Sequence, residues 1–361
     1  MTDEAYIELT LQIAKKGSGF VSPNPLVGAV IVKDHRIISA GYHEKYGGNH
    51  AEVNAINNSS ESVEGATLYV NLEPCSHFGK TPPCVDAIIN SKIKRVVIGT
   101  LDVNPLVSGK GVQKLIEHGI DVKIGVKEKE CAELNRFFFK NINSGLPFIT
   151  LKSAQTLDGK IADSKGNSKW ISSEESRKYV HYLRSKYDAV LVGANTVNKD
   201  NPMLNVRLTE GRNPTRIILD GNLTSKLNSF VFDTTHQSTI LIASNKSELK
   251  SRKINLLQRK GVRIIFVKSN NKGKINLTSA LKDLSKLGIN SILVEGGSRV
   301  FSSFINENLF DEVKLFVCPK FLGDGLDMLN FQKFVPITKA KKIRINSFSK
   351  IGDDLLIDLR N

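Results

Sequence analysis

The chain has 361 residues, 40% of them hydrophobic, which is more length than one core organises and enough apolar material for two. Its four cysteines make no disulfide framework, Met1-Thr2-Asp3-Glu4 lacks the basic and apolar regions of a signal peptide, and no run reaches the length of a membrane span; a reducing cytoplasm is expected. The formal net charge is +15, and all the excess lies late: residues 1–146 hold 16 Lys and Arg against 16 Asp and Glu, residues 147–361 hold 35 against 20.

Residues 6–16 carry apolar side chains at helical spacing, and 27–32 with 37–41 read as a β-hairpin across Lys33-Asp34-His35-Arg36. A helix opens at His50-Ala51-Glu52. Residues 68–72 form a buried strand delivering Pro74-Cys75, and Pro82-Pro83 suits the start of a helix over 84–90. Strands at 95–99 and 122–126 flank a helix around 112–118, and one helix over 128–143 runs to Ser144-Gly145-Leu146-Pro147, where the domain boundary is placed. Beyond it, strands at 148–152, 189–192, 216–219, 240–243, 263–267, 292–295 and 313–317 alternate with helices and imply a mostly parallel sheet. The helix after Ser172 carries a capping box with Glu175 and presents Arg177, Lys178, His181 and Arg184, a spacing that reads as a solvated face.

Chemistry concentrates at two places. His50, Cys75 and Cys84 supply one imidazole and two thiolates, a set that leaves a four-coordinate zinc one open position where water becomes acidic near neutral pH. Glu52, two residues from the histidine, is free to shuttle protons. H-x-E followed by P-C is the known pattern of zinc-dependent base deaminases, except that eight residues separate Cys75 from Cys84 where two are usual. A closed structural zinc would want a fourth protein ligand, and Cys131 reads as an ordinary helix residue. Further on, Gly193-Ala194-Asn195-Thr196 and Glu295-Gly296-Gly297-Ser298 each follow a buried strand and lead into a helix, so that backbone amides can approach a phosphate. The full dinucleotide fingerprint is missing, but Asp200-Asn201-Pro202 and Arg207 add an acid, an amide and a guanidinium, and Trp170 offers a flat surface for a ring.

These segments resemble the bifunctional riboflavin-biosynthesis deaminase-reductases of bacteria over nearly the whole chain. Ser22-Pro23-Asn24-Pro25-Leu26-Val27-Gly28, Gly41-Tyr42-His43, His50-Ala51-Glu52, Glu73-Pro74-Cys75-Ser76-His77 and Thr81-Pro82-Pro83-Cys84 look like the deaminase half. Leu151-Lys152-Ser153-Ala154, Leu157-Asp158-Gly159-Lys160-Ile161-Ala162, Asp200-Asn201-Pro202 and Val294-Glu295-Gly296-Gly297 look like the reductase half, which is similar in fold to dihydrofolate reductase. The resemblance implies an α/β chain: a cytidine-deaminase-like α/β/α domain at 1–146 and a dihydrofolate-reductase-like α/β domain at 147–361. It implies Zn2+ and NADPH as cofactors, and a phosphoribosylamino diaminopyrimidinone that is first deaminated and then reduced in its sugar. The long gap between the cysteines is that family's own spacing.

By matching positions the resemblance assigns His50, Cys75 and Cys84 to the metal and makes Glu52, Asp200 and Lys152 catalytic. It assigns Asn24, His43, His77 and Lys80 to the deaminase substrate, with Asp102, Asn104 and Ser108 in support. Ser168, Arg184, Asn195, Leu204, Arg207 and Glu295 match reductase substrate positions. Ala154, Trp170, Thr196 and Asp200 match cofactor positions, as does the run Gly297, Ser298, Arg299, Val300, Phe301, Ser302 and Ser303. Val103 stands where the family commonly has proline. The expected partners are phosphorylated pyrimidines and further copies of the chain, with no nucleic acid and no membrane. The alternative is a tRNA base deaminase whose basic second part is an RNA platform, but the late positives are scattered singly and in pairs, as in Lys341-Lys342, without interleaved aromatics.

Overall fold

Asp34 and His35 both take positive φ, 48° and 62°, so a two-residue turn joins β1 (Gly28–Lys33) to β2 (Arg36–Tyr42) with the twist that antiparallel strands require. In the computed structural model, which describes residues 1–105, 107–269, 274–330 and 336–361, this hairpin belongs to the first of two units, Met1–Leu146 and Pro147–Asn361. Among the described residues no helix is long and apolar enough to cross a membrane.

The first unit continues with β3 (Thr67–Leu72), β4 (Arg95–Thr100) and β5 (Asp121–Ile124), giving the sheet order β2-β1-β3-β4-β5. β1 is antiparallel to its neighbours, and β3 to β5 run parallel. Successive side chains of a strand point to opposite faces. Ala29, Ile31, Leu68, Val70, Val96 and Ile98 therefore meet one layer, made by α2 (Ala51–Asn57), α3 (Cys84–Asn90) and α4 (Lys110–Glu117). Val30, Tyr69 and Val97 meet α1 (Asp3–Ala14) and α5 (Glu128–Leu134) on the other.

The single helix expected over 128–143 is two, α5 and α6 (Arg136–Ser144), broken at Asn135. The Asn135 side chain accepts from Leu26 N–H at 2.7 Å and donates to Leu26 O at 3.0 Å, a strand-like pairing made 109 residues away. Asn71 Nδ2 also donates to Leu26 O at 3.0 Å, but Asn135 is the side chain that accepts the Leu26 N–H, a half-buried donor whose loss costs more than one interrupted helical turn.

Among the described residues the second unit is built on nine strands in the order β11-β10-β9-β8-β12-β6-β13-β16-β15. They are β6 (Phe148–Thr156), β8 (Ala189–Gly193), β9 (Thr215–Leu219), β10 (Thr239–Ser244), β11 (Arg263–Val267), β12 (Ser291–Val294), β13 (Glu312–Cys318), β15 (Arg344–Ile351) and β16 (Asp354–Arg360). Neighbours from β11 to β13 are parallel, as expected. The helices are α7 (Glu174–Lys186), α8 (Ala194–Asp200), α9 (Ser251–Arg259), α10 (Leu277–Lys286) and α11 (Ser298–Asn306), and β7 (Lys160–Asp163) with β14 (Gly325–Asp327) forms a separate pair. Strand β12 is buried throughout, the condition of a parallel strand covered on both faces.

Two local features differ from expectation. The antiparallel hairpin of β15 and β16 had no clear signal, because β15 lies on the edge and seven of its eight residues are exposed. Beneath it, polar side chains replace apolar ones: Lys314 on β13 bonds Glu312 at 2.7 Å and Asp358 at 3.1 Å, and Arg360 reaches Glu312 at 3.3 Å. The cap of α7 is Ser173, not Ser172: its Oγ accepts from Ser176 N–H at 3.2 Å, and Asp354 accepts from both the Ser173 N–H and Oγ–H, at 2.8 and 2.9 Å. Either serine could cap by sequence; Asp354 selects one.

Candidate active sites

Three separate segments carry the first site. His50 precedes α2, Cys75 follows β3, and Cys84 begins α3. His50 Nδ1 lies 3.2 Å from Cys84 Sγ and 3.5 Å from Cys75 Sγ, and the three ligand atoms all fall within 4.8 Å of one another. A tetrahedral zinc with bonds of about 2.1 Å to nitrogen and 2.3 Å to sulfur places those atoms about 3.5 Å apart, so the donor set fits the ion. The Cys84 thiol hydrogen-bonds Cys75 and, with His50, holds it down at about 4 against its burial; the same pairing pushes Cys84 up. The two sulfurs thus share one proton, which a cation binding both thiolates displaces.

Glu52 stands in the first turn of α2, 3% exposed, with Oε2 lacking a hydrogen-bond partner. Burial raises its carboxyl above the ordinary range, opposed by His50. It lines, with the ligands His50 and Cys75, a cavity of about 240 Å³. Asn24, His43, His77, Lys80, Asp102 and Asn104 line the same cavity. His43 sits edge-on to His50, with centroids 5.2 Å apart. Its Nδ1 faces Asn49 O at 2.9 Å, which can only accept, so Nδ1 carries the proton and Nε2 accepts from Asn24 Nδ2 at 3.1 Å. Burial lowers the His43 pKa and keeps the ring neutral. Burial also lifts Asp102 to about 6, with the Asn104 N–H and His77 opposing. Ser108 is exposed and gives its N–H to Asn104 O at 2.9 Å.

Sequence reasoning passed over three contributors. Tyr46 lies under the Lys80 ammonium, 4.0 Å from Nζ to the ring centroid, and Phe138 of α6 closes part of the cavity wall. Glu73, read only as part of the P-C motif, accepts from four main-chain N–H groups: Asp102 at 3.2 Å, Gly109 at 3.0 Å, Gly111 at 3.0 Å and Val112 at 3.3 Å. It therefore both starts α4 and pins the loop that carries Asp102 and Asn104. Its partners lie 29 to 39 residues ahead, beyond the reach of any local pattern. Glu73→Gln turns one acceptor into a donor facing N–H groups. It is expected to lose about 2–3 kcal/mol. Thermal unfolding should show a midpoint about 6–9 °C lower for this unit.

In the second unit, β8 and β12 are neighbours and both end in glycine turns. A Cβ on Gly296 would stand 2.6 Å from Val192 Cα, so only glycine lets the two strand ends approach this closely. Gly297, at φ 60°, caps α11, and Thr196 Oγ1 lies 3.4 Å from where its Cβ would be. Gly297, Ser298, Arg299 and Val300 thus form the start of α11 beside Thr196, whereas Phe301 is in the core, Ser302 Oγ accepts from Asn330 N–H at 2.8 Å and Ser303 Oγ–H bonds Arg299 O at 2.9 Å. Asn195 is exposed on α8, and Asp200 ends that helix with its carboxyl raised by partial shielding against the pull of Lys169 and Lys199. Trp170, 65% exposed, lies under the Arg177 guanidinium at 4.5 Å and gives its carbonyl to Lys320 Nζ at 2.8 Å; Ser168 is exposed in the same loop. Ala154 on β6 packs by Val180 and Phe316.

A cluster of charge lies nearby. Arg184 on α7 donates from Nε and Nη2 to both Glu295 oxygens, at 2.6 and 2.8 Å, with side chains only 11% and 9% exposed. Burial would raise the Glu295 carboxyl, but Arg184 reverses the sign and leaves it lowered. Burial lowers the Lys152 ammonium, and Glu295 partly restores it. Burial and the neighbouring Arg184 also lower Arg207, whose Nη1 bonds Asn205 Oδ1 at 2.8 Å. Leu204, at φ 56°, sends its side chain into the core, leaving its main chain to face the loop. The solvated face expected for α7 is corrected here: His181 is 4% exposed and Arg184 is buried by its ion pair. Helical spacing marks a face but cannot say whether a partner waits opposite.

The comparisons with known proteins agree with this layout. Residues 1–100 match the family described as the cytidine and deoxycytidylate deaminase zinc-binding region, and residues 147–357 match the RibD C-terminal domain. The riboflavin biosynthesis protein RibD of Aquifex aeolicus is 49% identical over 357 residues, 98% of this chain and 97% of its own. That of Escherichia coli is 35% identical, over 99% of both chains. The crystal structure of a diaminohydroxyphosphoribosylaminopyrimidine deaminase/5-amino-6-(5-phosphoribosylamino)uracil reductase from Thermotoga maritima is similar at TM-score 0.88 and 44% identity, covering 99% of this chain and 98% of that one. These matches run through both units, so the RNA platform of the tRNA-deaminase alternative is not favoured. The chain therefore belongs to the RibD family of riboflavin-biosynthesis enzymes, bifunctional proteins that join a zinc-dependent deaminase to an NADPH-dependent reductase.

Proposed function

We propose that the two reactions are divided between the units, deamination at the site of residues 1–146 and sugar reduction at that of residues 147–361. The observation that carries the first half is the His50, Cys75 and Cys84 donor set beside the buried Glu52 carboxyl, whose Oε2 has no hydrogen-bond partner. Zinc held by those three residues would supply the Lewis acidity that makes water nucleophilic enough to attack the ring carbon bearing the amine. Glu52 moves two protons in turn, the first from the attacking water to the ring nitrogen and the second from the newly added hydroxyl to the amine, which leaves as ammonia as the carbonyl forms; the task suits a carboxyl whose pKa burial has raised. Asn24 and His43, locked to each other, orient the pyrimidine, and His77, Asp102 and Asn104 bind its polar edge. Lys80, steadied on Tyr46, meets the phosphate.

In the second unit NADPH supplies the hydride that turns the ribosylamine into a ribityl chain. Main-chain N–H groups at the start of α11, with Thr196, would hold the cofactor's phosphates, and Trp170 and Ala154 would contact it. Among the described residues Lys152, Arg184 and Arg207 share one carboxylate, Glu295, and the surplus positive charge receives the substrate phosphate. Ser168, Asn195 and the Leu204 main chain complete the substrate side, and Asp200 or Lys152 delivers the proton. The ligands are phosphorylated pyrimidines and not nucleic acid, and the protein works in the cytoplasm as a homo-oligomer.

The test follows both reactions in one preparation. A chelator is expected to stop ammonia release while NADPH absorbance still falls with the deaminated phosphoribosylamino substrate. Absence of NADPH oxidation by folded protein would remove the reductase half of the proposal; ammonia release that survives complete zinc removal would remove the other.

A further inference from the structure

His181 has no part in the assignments above, yet it touches one of their members directly. It lies three residues before Arg184 on α7, the spacing that brings two side chains to one face of a helix. Its Nδ1 accepts the Arg207 main-chain N–H at 3.1 Å. The surrounding loop, residues 204–207, belongs to no helix or strand and is held by side chains alone. Gln237 Nε2 donates to Leu204 O at 3.0 Å, Arg184 Nη1 bonds Asn205 O at 3.1 Å, Asn213 Oδ1 accepts from Val206 N–H at 2.8 Å, and His181 holds the fourth group, the Arg207 N–H.

Such anchoring answers an electrostatic difficulty. Arg207 and Arg184 repel one another, and among the described residues the carboxylate that these two and Lys152 share is Glu295. Left to itself an exposed arginine loop relaxes away from like charge. A neutral hydrogen-bond acceptor can hold the Arg207 backbone near Arg184, whereas a cationic residue could neither accept nor be tolerated. We propose that His181 is a positioning residue for the reductase substrate, fixing the Arg207 main chain so that its guanidinium joins Arg184 and Lys152 in receiving the phosphate. Burial, then Arg184 and Arg207, push the His181 imidazole down to about 4, with Glu295 opposing and Lys152 adding to the effect, so Nδ1 stays an acceptor at neutral pH.

The inference rests on the reading of this unit as the reductase, and the experiment separates the two. His181→Asn puts Oδ1 where Nδ1 stood and keeps the acceptor; His181→Leu keeps bulk and loses it. In steady-state NADPH oxidation the leucine variant is expected to raise KM for the phosphorylated substrate about tenfold with kcat nearly unchanged, as loss of binding shared by ground and transition states requires. The asparagine variant should return KM to within about threefold of wild type. NADPH affinity, read by fluorescence titration, should be the same in all three proteins, and inorganic phosphate should inhibit the leucine variant least well. An unchanged KM in the leucine variant, or equal losses in both variants, overturns the role of His181, as does a fall in kcat and NADPH affinity that matches the change in KM. If the leucine variant does not fold, the asparagine variant decides: a wild-type KM supports the role and a raised one overturns it. Failure of the wild-type protein itself to oxidise NADPH with this substrate is the separate failure of the reductase reading.

Discussion

Glu52→Gln is expected to lower ammonia release by about 10²–10⁴-fold, the range that a positioned proton-transfer group contributes. The substitution keeps the shape of a side chain that is 3% exposed and leaves His50, Cys75 and Cys84 untouched, so the zinc content measured by elemental analysis should equal that of wild type. Oε2 has no partner to lose, and a neutral amide removes the desolvation that opposes a buried carboxylate. Folding is therefore preserved, and NADPH oxidation with the deaminated substrate should stay near wild type. Ammonia release within about tenfold of wild type, in a protein with full zinc, would show that the carboxylate does not carry the proton. Loss of both activities together would mean that the two halves are coupled.

Arg184→Ala has a different signature, because it breaks a buried pair from one side. Glu295 would keep its charge in a buried site after losing the Arg184 bonds to both of its oxygens, and removal of one partner of a buried pair costs about 3–5 kcal/mol. For a unit of this size that is roughly a 10 °C fall in the unfolding midpoint, readable by calorimetry. NADPH oxidation should be lost as well. Arg184→Lys cannot rescue it fully, since an ammonium lacks the planar fork that meets both oxygens. The double variant Arg184→Ala/Glu295→Ala is expected to recover stability relative to Arg184→Ala, because the orphaned charge is gone, while activity stays absent. No recovery in the double variant would place the loss elsewhere than in the Arg184 and Glu295 pair.

The zinc site was legible because its residues announce themselves by type and order: a histidine, a glutamate two positions on, and two cysteines, each beside an element terminus. The parallel core strands were legible for a similar reason, being short apolar runs such as Ile292-Leu293-Val294, with glycine following at 296. What escaped were contacts made across the chain by polar side chains. Glu73 gathers four N–H groups 29 to 39 residues ahead, Asn135 interrupts a helix to serve Leu26, and His181 reads as one more solvated polar residue until α7 is packed beside residues 204–207.

By itself, then, the order of amino acids determined which chemistry is present and which segments become strands, since donor identity and apolar periodicity are local properties carried by neighbours in the chain. The tertiary structure decided which polar groups are buried and with whom: that Ser173 and not Ser172 caps α7, that Arg184 pairs with Glu295, and that the edge strand β15 exists at all. The physical reason is that a hydrogen bond or ion pair gains its strength from the water removed around it, and that exclusion is created only when distant segments close on one another.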